Sequence, residues 1–221
     1  MPQPHRSATR NRLIGAGLLV VLLVVMVLNT KFLTPAELAA AGPVKFDAKQ
    51  TAADLFAKAK TDLPGQAQPF DEVLPAIQAD PAAAATKFKA ISPADKAYVF
   101  PVTATATVAD ATAGSLRLKV DGFDGDTPIL LPLTTAVNGS VLRDAMGFKF
   151  ADAPGQTDYQ YVGDELKKLM QAEVASSVPD PTSLKGKKVT VVGVVSVLDT
   201  GGPQPKAKPV NIQPLSVKVG S

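Results

Sequence analysis

Residues 13–28, LIGAGLLVVLLVVMVL, form one uninterrupted apolar run, followed by an alanine-rich polar body. A run that is apolar on every face cannot form the one-sided stripe of a helix packed on a small core. At about 1.5 Å per residue it reaches roughly 24 Å, slightly short of a hydrocarbon core of about 30 Å. Phe32 and Leu33 can extend it, with Lys31 turning its amine outward, which gives an expected transmembrane anchor over residues 13–33. Arg6, Arg10 and Arg12 precede the run, so residues 1–12 are expected as a cytoplasmic tail and the body outside. A cleaved signal peptide is the alternative, with Ala39, Ala40 and Ala41 as the small residues at a cut site. The spacing disfavours it, because more than ten residues, Lys31 and Glu37 among them, separate the run from that site.

Charge separates along the same boundary. Three of the 23 basic residues lie in the first thirty positions and all 20 acids lie beyond them, leaving the body formally neutral. A neutral body with few aromatics lacks the electrostatic footprint of phosphate-backbone binding, so no nucleic-acid partner is expected. Lys185, Lys187 and Lys188 are the densest basic group, and they flank a turn glycine at the start of an expected strand.

Past a linker at 34–46, Asp47 and Gln50 resemble a capping box, and Ala52, Leu55, Phe56, Ala59 and Leu63 recur at helical spacing. Pro64-Gly65 should stop this helix. A second short helix is expected around Val73, Leu74 and Ile77, and a third from Asp80-Pro81 to about Lys89, with Asp as cap and Pro in first position. From Tyr98 the period becomes two: Val102, Ala104, Ala106 and Val108 alternate with threonines, and Leu116, Leu118 and Val120 alternate with Arg117, Lys119 and Asp121. A third strand is expected at 129–137, with Pro132 marking an edge or bulge. A helical turn and a long helix follow, the latter with Tyr159, Val162, Leu166, Leu169, Met170 and Val174 on one face. Two strands, around 189–197 and 212–219, flank the loop GGPQPKAKP.

Five strands with a helix between the third and fourth is the order of an OB-fold, a small Greek-key barrel. The expected class is therefore mainly β with helices (α+β): an OB-fold-like five-stranded barrel over 47–221, with N-terminal helices and the long helix between strands 3 and 4. Gly193 suits the coiling of such a barrel.

The block Gly139, Arg143-Asp144-Ala145, Phe148 with Phe150, and Gln156 opening a helix resembles the signature of an uncharacterised bacterial family of predicted periplasmic lipoproteins. The likeness extends from Phe46-Asp47 to LKGKKVTVVGVVSV. It implies an OB-type barrel, and it implies a location beside sugar ABC-transporter genes, with transporter subunits or a solute-binding protein as partners. This sequence departs from the family in having no cysteine to carry a lipid, with an apolar run in its place, and Phe56 where members often have Trp.

The body has no cysteine and no histidine, which removes His-assisted nucleophiles and Cys/His metal sites. Neither a cofactor nor a metal is expected. Asp121, Asp124 and Asp126 in VDGFDGDTP miss the spacing of a calcium loop, and their Asp-Gly dipeptides suit a hairpin turn. Thr103, Thr105 and Thr107 make a polar strand face. Arg143 and Asp144 are the candidate ligand-binding pair, since a guanidinium can hold a hydroxyl or an anion in a fork, with Gln156 and Tyr159 as further members. The alternative is a structural pairing at a helical turn. The expected function is a non-enzymatic, membrane-anchored extracytoplasmic accessory protein. A direct sugar or anion binder is the alternative, and a carboxylate-based hydrolase, for which no facing pair of acids can be named, is the third reading.

Overall fold

The computed structural model describes residues 6–30, Thr34, Glu37 and 46–220, the side chains from residue 14 onward. The chain divides into two units, 1–45 and 46–221.

In the first unit, helix α1 spans Arg6–Asn29, and its described side chains from Ile14 to Leu28 are all exposed. The helix closes with Asn29 Nδ2 donating to Val25 O at 2.9 Å and Thr30 Oγ1 donating to Met26 O at 2.6 Å. This corrects the expected transmembrane span of 13–33: α1 ends at Asn29, and among the described residues no helix is long and apolar enough to cross a membrane. Residues 1–5, most of the expected linker and Ala39 to Ala41 lie outside the described residues.

The second unit opens with α2 (Ala48–Gln66), capped by Asp47 Oδ1, which accepts from the amides of Lys49 and Gln50 at 2.9 and 3.0 Å. The reciprocal half of a capping box is missing, because Gln50 Nε2 donates to Asp54 instead. Pro64 does not stop the helix. It sits in the last turn, where it removes a single intrahelical donor, and the helix runs to Gln66. A short strand β1 (Gln68–Pro69) leads into α3 (Phe70–Ala79). Next comes α4 (Pro81–Lys87), capped by Asp80 with Pro81 in first position as expected.

The sheet comprises β2 (Ile91–Ala94), β3 (Ala97–Ala111), β4 (Ser115–Val120), β5 (Ile129–Pro132), β6 (Lys188–Leu198), β7 (Val210–Asn211) and β8 (Gln213–Val219), with β1 paired parallel to β3. Between β5 and β6 lie α5 (Gly139–Ala145) and α6 (Gln156–Ser177). The main order is β7-β5-β4-β3-β6-β8. Its two ends belong to one segment, 210–219, which pairs parallel with β5 at its start and antiparallel with β6 along the rest. The sheet therefore curls back on itself.

Two irregularities shape that curl. The register between β6 and β8 shifts after Val192↔Ser216, so that Gly193 faces Pro214 and Leu215 is an extra residue. This bulge lets Ile212 and Val217 both point inward while Leu215 turns to the helices. A side chain at Gly193 would run into the carbonyl of Gln213, so the crossing requires glycine there. Strand β5 is shorter than the expected 129–137, ending at Pro132, which has no N–H to continue a ladder.

Alternation along the strands buries Phe100, Val102, Ala104, Ala106 and Val108 with Leu116, Leu118, Ile129, Leu131, Val189 and Val191 inside the curl, and α3 contributes Phe70, Val73, Leu74 and Ile77 to the same core. A second core lies on the outer face, where Val99, Val194 and Leu215 meet Ala52, Ala59 and Leu63 of α2, Leu142 of α5, and Val162, Leu166 and Met170 of α6.

The Arg143 cluster and the candidate functional site

Asn138 caps α5 through Oδ1, which accepts from the amide of Ser140 at 3.0 Å, and the helix is two turns long. Arg143 lies in its last turn, buried to 6% exposure despite its charge. Burial of a guanidinium requires its donors to be met within the protein. Nε and Nη2 donate to Asp144 Oδ1 at 3.1 and 2.9 Å, and Nη1 donates to the carbonyl of Tyr159 at 3.1 Å. The flat face of the guanidinium lies over the Tyr159 ring, Cζ 3.5 Å from the centroid.

Tyr159 belongs to the first turn of α6, so the cluster ties the end of one helix to the beginning of the next. Its ring stacks with Phe148 at 6.1 Å and meets Phe150 edge-on at 5.7 Å, which fixes the intervening chain as well. The hydroxyl makes a long contact, 3.4 Å, to the same Asp144 oxygen. Burial is the main influence that raises the Tyr159 pKa above its ordinary 10.0, reinforced by the Asp144 carboxylate and opposed by the Arg143 charge. The phenol is therefore neutral at physiological pH and supplies no base.

The structure thus joins Arg143, Asp144 and Tyr159 and leaves Gln156 apart. Gln156 is exposed at the start of α6, where Gly155 occupies the cap position without a side-chain bond. Sequence reading named Phe148 and Phe150 as pattern residues. Their roles as the walls of Tyr159 depend on a chain reversal, and no local signal encodes it.

The other candidates fall into structural roles. Asp121 accepts Lys188 Nζ at 2.6 Å, Lys185 lies 3.6 Å from Asp110, and the segment 121–128 connects antiparallel β4 and β5. Among the described residues no cluster of His, Cys, Asp or Glu could hold a metal ion.

A match to the predicted periplasmic lipoprotein family DUF2291 covers residues 19–217. The chain belongs to this family. Among solved structures, it is similar to an OB-fold protein from Thermotoga maritima, with 18% identity over 80% of this chain and 100% of that one, and a TM-score of 0.66. That likeness shows the fold, and it agrees with the strand order above. No curated protein matches the sequence. In this DUF2291 member the Arg-Asp-Ala block is the hinge-point of the α5–α6 corner, its charged groups turned toward one another.

Proposed function

We propose that this DUF2291 chain is a membrane-tethered extracytoplasmic OB-type domain that acts without catalysis, as an accessory or scaffolding protein of a carbohydrate ABC importer. The observation that carries the reading is the presence of a helix whose described apolar side chains are all exposed and of a separate unit that has its own cores. An exposed apolar helix of this kind needs a hydrocarbon or protein surface to cover it. The family description supports a periplasmic, membrane-associated location. With no cysteine in the sequence, α1 stands where relatives carry a lipid. The importer as partner rests on the family resemblance alone. Three of the five Arg143 N–H donors are used within the protein and the side chain is buried, which favours scaffolding over direct binding at that cluster.

Two measurements test this. Cell fractionation should place the full chain in membranes and a chain in which a cleavable export signal replaces residues 1–30 in the soluble periplasmic fraction; equal solubility of both would overturn the tether. Affinity capture from membranes in a mild detergent should recover a permease subunit or a solute-binding protein, and recovery of neither would remove the importer.

A further inference from the structure

A cleft of about 340 Å³ opens under the loop joining β6 to β7, between that loop and α3. Its floor is apolar, from Leu74, Ile77 and Val195, and its polar lining comprises the carboxamides Gln78, Gln204, Asn211 and Gln213 with the hydroxyls of Ser196 and Thr200, Gln213 being bonded to Asn138 N and Ala136 O. Gln78 is nine-tenths buried. Its Nε2 donates to Thr127 Oγ1 at 2.7 Å, leaving Oε1 without a protein partner among the described residues. Gln78 lines the cleft. Gln204 likewise uses Nε2 on Leu198 O at 3.2 Å and keeps Oε1 free, while the Asn211 amide makes no side-chain bond among the described residues.

The roof is held in place. Gln204 N donates to Gln78 O at 3.0 Å, Asp199 N donates to Lys96 O at 2.7 Å, and Asp199 Oδ1 accepts from Gly201 N at 2.8 Å. Pro203, Pro205 and Pro209 restrict φ along the rest of the loop. A preformed site loses less freedom on binding.

Carboxamides both donate and accept without charge, which matches hydroxyl groups, and no carboxylate lines the cleft. The one charged lining residue, Lys208, is exposed, as is Asn211 at the rim. The volume lies near the lower end of small-molecule sites, about 300 Å³ and upward. We propose that this cleft binds a small, neutral polyhydroxylated molecule of monosaccharide size, its C–H face on Leu74 and Ile77 and its hydroxyls on Gln78, Gln204 and Asn211. The site is distinct from the Arg143 cluster and does not depend on the tether or the importer.

The test is saturation-transfer NMR with titration calorimetry on the full chain in a sugar-free detergent, using neutral hexoses, pentoses and short polyols, with a sugar phosphate as the charged probe. A neutral polyol should bind saturably. N211A and Q204A, each checked for folding by circular dichroism, should each weaken binding roughly five- to tenfold, the loss of about one hydrogen bond. K208A should change it less than about twofold, as expected for an exposed charge facing a neutral ligand. Three results would overturn the proposal: no saturable binding of any neutral probe up to about 100 mM, a binding free energy of only about 1.4 kcal/mol; binding that N211A and Q204A both leave unchanged; or a preference for the sugar phosphate that K208A abolishes.

Discussion

Arg143 is the residue on which the α5–α6 corner turns. Neighbours one apart on a helix do not ordinarily face each other, yet Arg143 and Asp144 pair while the guanidinium lies over the Tyr159 ring. Replacing Arg143 with alanine removes two bonds to the Asp144 oxygen and one to the Tyr159 carbonyl, and takes the guanidinium off the ring. Asp144 retains some access to water, so a loss of about 2–3 kcal/mol is expected in urea unfolding, below that of a fully buried pair. Tyr159 supplies a pH signature. Its folded-state pKa lies above the unfolded value, so its contribution to stability is complete below the ordinary 10.0 and is lost as pH rises through the raised value. A tyrosinate absorbance titration should show a component ionising above 10.0 that Y159F removes, with less alkaline loss of stability in that variant. At this scale the sequence identified a polar pair and its neighbours. It could not show that the guanidinium faces inward, because that follows from where α6 begins in space.

The helices and strands followed their local chemistry closely where that chemistry was strong. Asp47 and Asp80 cap helices through the bonds that short carboxylates make, and the period of two after Tyr98 becomes β3 and β4. The misreadings arise where tertiary contact outweighs a local rule. Pro64 is absorbed in a final turn, and β1 and β2 are too short to produce a periodic signal, existing only because one edge of β3 accepts them. Helix packing adds a requirement of its own. At Gly139 a side chain would meet the backbone of α6, at the carbonyl of Gly163 and the amide of Lys167. Alanine in an unhindered helix stabilises by up to about 1 kcal/mol relative to glycine. G139A should instead destabilise by about 1–3 kcal/mol in the same unfolding assay, because the backbones must separate. A neutral or stabilising result would show that α5 and α6 do not approach this closely.

For the molecule as a whole, the decisive fact is that segment 210–219 belongs to both ends of the sheet. The bulge at Leu215 gives it the coil to do so, and α3 contributes to the core enclosed by the strands. By itself the sequence determined the main elements and their order: the apolar run, the neutral body, the capped helices, and five of the eight strands, split by a long helix. These follow from side-chain periodicity and capping, which act within a few residues. Only the tertiary structure decided that the strands curl, that Arg143 turns inward on Tyr159, and that a proline-rich loop covers a cleft lined in part by carboxamides. Those outcomes depend on contacts between residues distant in sequence, and local periodicity carries no record of such partners.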